Sequence, residues 1–365
     1  MTPLRVLITS LTMWPPSGTT LYVRDLALEL QRRGHHPMVF STTRGPLASQ
    51  LRSAGIPLTD RLRELEAPDV IHAHQRALSL AAMERWPSVP AIYVCRDRAS
   101  PLDEPPLHPS VRRYFGVSRA CVKRVVQAGV PEDQVTVLPN SIDTAPFGPR
   151  DPLPQSPRRA AVYSTYADGR ASVPTIMAAC EEAGIGVVEV IGAGADTVVS
   201  DPERLLPEYD LVFAKGRAAM QAMAAGCAVV LCDFGRIGSM VTSAEFDALH
   251  QLNFGLDSLR EPIGGASLAR EIARYDPNDA ARVGNLIKSR ASLGASAERL
   301  IGIYRDVASE RWARSATSAG RRTRVRHALL IRLYRTWHLL PIGLREAFRN
   351  LPGVRAALGA LKRLG

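Results

Sequence analysis

The feature that most constrains the fold of this chain is the alternation of short apolar runs with amphipathic helical patterns over the first 310 residues. Strands of a parallel sheet are covered by helices on both faces, so each one is typically a continuous apolar run. Such an alternation is typical of α/β domains with mostly parallel sheets. We predict strands at Leu4–Thr9, Met38–Ser41, Asp69–His74, Ala91–Cys95, Tyr114–Val117, Val135–Pro139, Ala160–Ser164, Gly186–Ile191, Leu211–Phe213 and Ala228–Cys232.

A proline-rich segment divides this pattern into two halves. Residues 147–157 contain four prolines and almost no apolar periodicity, which is typical of a linker. Two parallel-sheet domains would face a central cleft, where the carboxyl ends of strands and the N-termini of helices bind nucleotides and phosphates. We therefore expect two Rossmann-like domains and a linker, at residues 1–147, 159–310 and 148–158 respectively.

The formal charge of +11 belongs to the end of the chain. Residues 311–365 contain 13 Lys and Arg and a single acid, Glu346, which is a net charge of +12. The first 310 residues contain 33 Lys and Arg against 34 Asp and Glu, which is a net charge of −1. A body-wide attraction to anionic partners is therefore excluded, and any such attraction belongs to the tail.

On a helical wheel, this tail separates an apolar face from a basic face. Leu333 and Trp337 belong to the apolar face, whereas Arg324, Arg332 and Arg335 lie opposite. Basic amphipathic helices with aromatic residues lie on anionic bilayer surfaces. We therefore predict a basic amphipathic helical tail that binds an anionic membrane surface. Packing of the tail onto the body and nucleic-acid binding are the alternatives, and we do not expect a nucleic-acid partner.

The cysteines and the N-terminus favour a cytoplasmic protein, possibly held at the inner face of the membrane by the tail. Five scattered cysteines show neither a disulfide framework nor a metal-like spacing, which fits buried free thiols in a reducing compartment. The apolar run after Arg5 is short and continues into Trp14 and two prolines, so it predicts a buried strand rather than a signal peptide. No run reaches the ~18 apolar residues of a spanning helix.

The most informative local pattern is a predicted strand that ends near Phe213 and leads directly into an Ala- and Met-rich helix. Lys215, Gly216 and Arg217 fall at the start of that helix, where unpaired N–H groups and the helix dipole favour an anion. Glycine allows close approach of a ligand, and the two cations add full charges. This pattern predicts a pyrophosphate site, and its alternative is an ordinary turn with two solvated cations.

The stretch after this turn resembles the donor-site helix and the following strand of retaining GT-B enzymes, the large glycosyltransferase family 4. Other stretches resemble that family in the same order along the chain, over roughly residues 4–309. The stretch after the turn is Ala219–Val230, and the others are Ser17-Gly18 with Arg33-Gly34-His35, Pro68–His74, Val117-Ser118 and Val137–Asp143.

The resemblance implies roles for several residues of the donor site. The family carries two Glu residues eight positions apart on the donor helix, and Phe213 and Gln221 occupy those positions here. Gln221 can still bind ribose hydroxyls through its amide. The Gly loop of the family corresponds to Ser17 and Gly18, which would close over the donor, and Arg170 is the cation near the family's phosphate-binding Lys.

On the acceptor side, the resemblance places Arg96 and Asp97 where many relatives have a His-Asp pair facing the transferred sugar. Arg cannot transfer protons near pH 7, and the alternative for these two residues is a surface ion pair. His72 and His74 share one face of a strand, which predicts either contacts to the acceptor or a structural pair. No Asp-x-Asp occurs, so we expect no metal, and no cofactor besides the sugar-nucleotide substrate.

Together these patterns predict a metal-independent hexosyltransferase-like enzyme that transfers a sugar, with retention, from a nucleoside-diphosphate sugar. The acceptor would be a glycan, a lipid-linked molecule or a small molecule. Lys215 would assist catalysis by stabilising the departing diphosphate, with Arg217 and Arg170. The alternative is a non-catalytic scaffold of glycan assembly that binds sugar nucleotides. A sugar-nucleotide epimerase of the same fold has no motif in its favour.

Overall fold

The computed structural model describes residues 2–14, 16–41, 45–164, 172–192, 199 and 201–310. The predicted basic tail at 311–365 and the predicted phosphate ligand Arg170 lie outside the described residues. The chain divides into two compact units. Of the described residues, the first unit takes those up to 116, 121–138 and 299–310, and the second takes 117–120 and 139–298.

The first unit is built on a seven-stranded sheet in the order β3-β2-β1-β4-β5-β6-β7. Every neighbouring pair in this sheet is parallel, as the continuous apolar runs predict. The six strands expected in this half are all present, and the short β3 is an addition at the edge. The strands are β1 (Arg5–Ser10), β2 (His36–Ser41), β3 (Leu58–Thr59), β4 (Val70–Ala73), β5 (Ala91–Cys95), β6 (Val111–Gly116) and β7 (Val135–Val137).

Helices connect these strands, and the first of them shows how the sequence specifies its ends. Helix α1 begins after the N-cap Ser17, whose side chain accepts a hydrogen bond from the Thr20 N–H, and it ends before Gly34, which has a φ of +79°. Its apolar face is buried, as its spacing predicts. The helices of this unit are α1 (Gly18–Arg32), α2 (Pro46–Ser53), α3 (Arg76–Arg85) and α4 (Arg119–Gln127).

The second unit is built on a six-stranded sheet in the order β13-β12-β11-β10-β8-β9. The four predicted strands are parallel, whereas β12 and β13 add an antiparallel edge that the sequence analysis does not predict. A two-residue turn begins this edge, and its first residue is Phe234 rather than the Asn, Asp or Gly that signals a hairpin. The strands are β8 (Arg159–Tyr163), β9 (Val187–Ile191), β10 (Leu211–Ala214), β11 (Ala228–Asp233), β12 (Arg236–Met240) and β13 (Glu261–Pro262).

Both faces of this sheet are covered by helices, which explains why the central strands are apolar throughout. Along β10, Val212 and Ala214 face one core cluster, and Leu211 and Phe213 face the other. Helix α7 contributes to the first cluster, and α5 and α9 contribute to the second. The helices are α5 (Val173–Glu182), α6 (Pro202–Leu205), α7 (Gly216–Ala224), α8 (Phe246–Gln251), α9 (Gly265–Ile272), α10 (Pro277–Arg290) and α11 (Leu293–Ser309).

The two units differ from the expected domain limits at three places, the first being residues 117–120, which belong to the second unit. Residues 139–147 belong to the second unit, because Ile142 and Phe147 are buried in its core and the Ile142 backbone bonds with Ala291 and Leu293. Helix α11 continues past the division, so its last part belongs to the first unit. Among the helices of the described residues, none is long and apolar enough to cross a bilayer.

Candidate active site

Helix α7 begins directly after strand β10, at the place where the sequence predicts an anion-binding turn. Strand β10 ends at Ala214, and Lys215 is the N-cap, with an extended backbone. Gly216 has a φ of +56°, in the left-handed region that favours glycine. An added Cβ there would meet no described atom within 4 Å, so the conformation and not local crowding requires glycine. The Gly216 N–H already donates to the Phe254 carbonyl at 2.6 Å.

The Lys215 ammonium is paired rather than solvated. Its Nζ lies 2.9 Å from Oδ2 of Asp233, at the end of neighbouring strand β11, and the Asp233 side chain is only 7% exposed. Oδ1 of Asp233 accepts hydrogen bonds from the Ser164 hydroxyl at 3.1 Å and from the Phe234 N–H at 2.9 Å. The carboxylate therefore holds the ammonium at the carboxyl end of β10. Asp233 and Ser164 are absent from the predicted site residues.

Farther along α7, Gln221 contacts a side chain from the first strand of the unit. The Tyr163 hydroxyl donates to Oε1 of Gln221 at 3.1 Å. Burial raises the pKa of Tyr163 to about 12, and the nearby Arg217 guanidinium opposes this rise. The Gln221 amide NH₂ retains two donor hydrogens, which suit the oxygen atoms of ribose hydroxyls. The site thus contains two groups of side chains. One consists of Gln221, Tyr163 and Arg217, and the other is the ion pair of Lys215 and Asp233.

Phe213 occupies the position of the family's first donor-site Glu, and it is fully buried within β10. Its ring belongs to the core cluster that also contains Val230 and Ile176. An apolar side chain in the core cannot replace a carboxylate that contacts a sugar. That contact has no equivalent at this position.

In the first unit, Ser17 and Gly18 lie at the N-terminus of α1. The Ser17 hydroxyl accepts from the Thr20 N–H, and the Ser17 N–H donates to the Thr20 hydroxyl at 2.7 Å. The segment that the sequence analysis treats as a closing loop is therefore the cap and first turn of a helix. Both residues are exposed, and nothing described lies within 4 Å of a Cβ added at Gly18.

His72 and His74 lie side by side, as their spacing predicts, with ring centroids 4.6 Å apart. Both are fully buried. Nδ1 of His72 bonds with the Tyr304 hydroxyl at 2.5 Å, and Nδ1 of His74 donates to the Val94 carbonyl at 3.2 Å. Burial and the Arg96 charge lower the pKa of His72 to about 3 and place that of His74 well below its usual value. This neutral, buried pair favours the structural alternative.

Arg96 and Asp97 follow β5 and have different partners. The Arg96 guanidinium lies over the buried Tyr22 ring, 3.9 Å from its centroid. Asp97 is exposed, and its Oδ1 accepts from the Ala99 and Ser100 N–H groups at 2.7 Å each.

Asp103, which the sequence analysis does not single out, accepts a hydrogen bond from the Arg96 N–H at 2.7 Å. Burial raises the pKa of Asp103 to about 6, although this hydrogen bond and the Arg96 charge oppose the rise. Among the described residues, no group of His, Cys, Asp and Glu is arranged to hold a metal ion.

Comparison with known proteins now places this chain. The model of Glycosyltransferase Family 4 matches residues 16–146, which cover most of the first unit. The chain has the GT-B fold and resembles glycosyltransferase family 4. The predicted α/β class is thereby confirmed. A comparison with curated proteins found no match.

Solved GT-B structures share the fold at low sequence identity. The complex of Anabaena Alr3699/HepE with UDP-glucose aligns with a TM-score of 0.57 and 16% identity, over 83% of this chain and all of that one. A glycosyltransferase from Rickettsia africae ESF-5 aligns with a TM-score of 0.60 and 12% identity, over 85% of this chain and all of that one.

A structure named as a UDP-N-acetylglucosamine 2-epimerase from Listeria monocytogenes aligns with a TM-score of 0.51 and 12% identity, over 84% of this chain and 96% of that one. At these identities the likeness concerns the fold alone.

Of the residues predicted for the donor side, those described in the second unit lie together. Lys215, Gly216 and Arg217 lie at the start of one helix, and Gln221 follows on the same helix. The sequence could have suggested Asp233, because it follows the next predicted strand along the chain after the one that leads to Lys215. Tyr163 and Ser164 could have been suggested in the same way, because they are polar residues at the end of the apolar strand β8. Ion pairing across strand ends depends on sheet order, which the sequence does not state.

Proposed function

We propose that this chain is a glycosyltransferase that moves a sugar from a nucleoside-diphosphate sugar to an acceptor hydroxyl, without a metal and with retention of configuration. The observation that carries the proposal is the start of α7, where Lys215, Arg217 and the helix N-terminus gather positive charge beside Gln221. This arrangement suits a ribose and a diphosphate. The GT-B fold and the family resemblance of the first unit support the same conclusion.

The chemistry of such a site is electrostatic. The bond between the sugar and the diphosphate breaks while the acceptor oxygen forms a new bond on the same face of the sugar. The acceptor proton passes to an oxygen of the departing diphosphate, so that no strong protein base is needed. Lys215, Arg217 and the α7 N-terminus stabilise the negative charge that grows on the leaving group. The Arg170 cation would help to stabilise the same negative charge.

For the acceptor, we propose a glycan, a lipid-linked molecule or a small molecule. For the tail, we propose a peripheral contact with anionic lipid at the inner face of the membrane. The net charge of +12 in residues 311–365 supports the membrane contact. The full chain should sediment with anionic liposomes at low salt and less so at high salt. A chain ending at Glu310 should stay soluble and still bind nucleotide. If neither chain sediments with anionic liposomes at low salt, the membrane contact is wrong.

A non-catalytic scaffold that binds sugar nucleotides is the second candidate, and the buried Phe213 favours it. The side chain at this position cannot contact the sugar as the family's first Glu does. Arg96 in place of the family's His points the same way, because its guanidinium stacks on the Tyr22 ring.

A thermal-shift panel of UDP, GDP, ADP and dTDP with their sugar conjugates tests both candidates. Stabilisation of the chain by a nucleoside diphosphate supports a donor site of either kind. Slow hydrolysis of the matching sugar nucleotide on long incubation, lost in Lys215→Ala, supports the enzyme. Binding without any hydrolysis or transfer supports the scaffold. If no member of the panel shifts the unfolding midpoint, the proposed donor site is wrong.

A further inference from the structure

An exposed aromatic residue stands beside the proposed phosphate site in an unusual backbone conformation. Phe234 is 55% exposed and has a φ of +50°. Together with Gly235, whose φ is +70°, it forms the two-residue turn between β11 and β12, where Asp233 pairs with Arg236. Turns with two positive φ values strongly prefer Asn, Asp and Gly, and a bulky residue there is an outlier. Neither the backbone nor burial accounts for an aromatic ring at this position.

The backbone of Phe234 contacts the same carboxylate that holds Lys215. The Phe234 N–H donates to Oδ1 of Asp233 at 2.9 Å, while Oδ2 of Asp233 lies 2.9 Å from the Lys215 ammonium. The ring centroid lies 5.1 Å from that ammonium. The Ser164 hydroxyl also donates to Asp233, from the end of β8. The ring therefore belongs to one hydrogen-bonded group with the proposed phosphate ligand.

The order of strands gives this group a direction. Strand β10, which leads to Lys215, lies between β8 and β11. On the β8 side are Tyr163, its partner Gln221, and the Arg217 charge that acts on Tyr163. On the β11 side are Asp233 and Phe234. A nucleoside-diphosphate sugar is a linear molecule in which the diphosphate separates ribose from sugar. With ribose at Gln221 and the diphosphate at Arg217 and Lys215, the sugar falls on the side of Phe234.

We propose that Phe234 contacts the transferred sugar of the donor, with its ring face against an apolar C–H face of the pyranose, and thereby distinguishes the sugar nucleotide from the free nucleoside diphosphate. This inference rests on the proposed donor site. The face of an aromatic ring carries partial negative charge and attracts the polarised C–H groups of a sugar. A ring exposed to water in the free protein would lose that water on contact with the sugar, which is favourable.

Two substitutions separate the ring from the turn. Phe234→Asn removes the ring and places in the turn a residue that prefers positive φ, so this variant should fold at least as well as the wild type. Phe234→Tyr keeps the ring and is the matched control. For each protein, isothermal calorimetry measures Kd for the best nucleoside diphosphate of the panel and for its hexose conjugate. The decisive quantity is the ratio of the two Kd values.

We expect Phe234→Asn to raise the ratio of the conjugate Kd to the diphosphate Kd by about two- to tenfold, because the contact between the ring and the sugar is lost. The Kd of the diphosphate itself should change by less than about twofold, because Asp233 still holds Lys215. Phe234→Tyr should leave the ratio near the wild-type value. An unchanged ratio in Phe234→Asn would overturn the inference while leaving the donor site intact. If the wild type binds no diphosphate, it is the donor site that fails.

Discussion

Two of the strand ends that carry predicted polar residues, one in each unit, differ in what surrounds them. After β10, Lys215 pairs with Asp233 at the carboxyl ends of two central strands and remains 21% exposed. Along β4, His72 and His74 are fully buried and held by Tyr304 and the Val94 carbonyl. The first group keeps its charge within reach of a ligand, whereas the second is neutral and internal. The comparison indicates that polar residues at strand ends can form a site only where the surrounding elements leave them accessible.

The largest effect should come from the charged group. Lys215→Ala removes one charge partner of the diphosphate and leaves Asp233 as a buried carboxylate without its cation. A charge-assisted contact contributes about 1.5–3 kcal/mol, so affinity for the nucleoside diphosphate should fall about ten- to a hundredfold. Calorimetry measures this change. Arg217→Ala should show a loss of the same order. Arg270→Ala, which removes the ion pairs of Arg270 with Glu261 and Glu271 elsewhere in the unit, is the control and should bind normally.

Adding Asp233→Asn to Lys215→Ala sharpens this prediction. The double variant should recover part of the lost affinity, because the carboxylate that repels the diphosphate is gone. If Lys215→Ala binds with wild-type affinity, the diphosphate lies elsewhere. If the double variant binds more weakly than the single one, Asp233 contributes to the ligand by another contact.

The second effect concerns pH and the neutral histidines. A His whose pKa is lowered on folding stabilises the protein fully above about pH 6.5, and the contribution is lost as pH falls toward the folded pKa. For His72, that window runs from about 6.5 down to about 3. Asp103, with its pKa raised to about 6, acts in the opposite sense between about pH 4 and 6. We expect the histidines to dominate above pH 6, so that the thermal midpoint falls between pH 7 and 6.

His72→Gln tests this assignment. The variant should be less stable than the wild type at pH 7 but should lose less stability on acidification, because one titrating group is gone. The slope of the thermal midpoint against pH is the quantity to compare. An equal slope in both proteins would mean that other groups govern the pH dependence, and that His72 is not held neutral by burial.

The third prediction compares two tyrosines, one in the core beside His72 and one beside Gln221. Tyr304→Phe leaves Nδ1 of His72 without its partner in the core and should cost about 1–2 kcal/mol of stability, with no change in nucleotide affinity. Tyr163→Phe removes the hydrogen bond to Gln221 and should weaken nucleoside-diphosphate binding by a few fold, with a smaller loss of stability. Thermal melts and calorimetry on both variants give the comparison. The distinction between the two strand ends is wrong if Tyr304→Phe weakens nucleotide binding more than Tyr163→Phe does.

The smallest effect is expected for Gln221→Glu. A carboxylate accepts hydrogen bonds from both Tyr163 and ribose hydroxyls, so affinity for the nucleoside diphosphate should be preserved or improved by up to a few fold. Calorimetry again measures it. A folded variant that no longer binds would mean that the Gln221 NH₂ group donates an essential hydrogen bond. In that case the family's ribose contact does not transfer to this position.

Much of the fold follows from the sequence, because continuous apolar runs are what a strand covered on both faces requires. Leu211–Ala214 shows the reason: its alternate residues enter two different cores, so every position must be apolar. Gly216 at the start of α7 was predictable for a related reason, since a strand that leads straight into a helix needs a sharp backbone turn. These features depend on neighbours close in the chain.

The remaining features depend on contacts between distant parts of the chain. The antiparallel edge was not predicted because its turn contains Phe234, and the partner of Lys215 was not predicted because it lies on the next strand of the sheet. Burial of His72 depends on Tyr304, which is 232 residues away. The sequence by itself determined the ten parallel strands that were predicted, the two-part α/β class and the place of the turn before α7. Only the tertiary structure decided which polar side chains meet and which are withdrawn from water, because ion pairing and desolvation depend on distances that chain order does not encode.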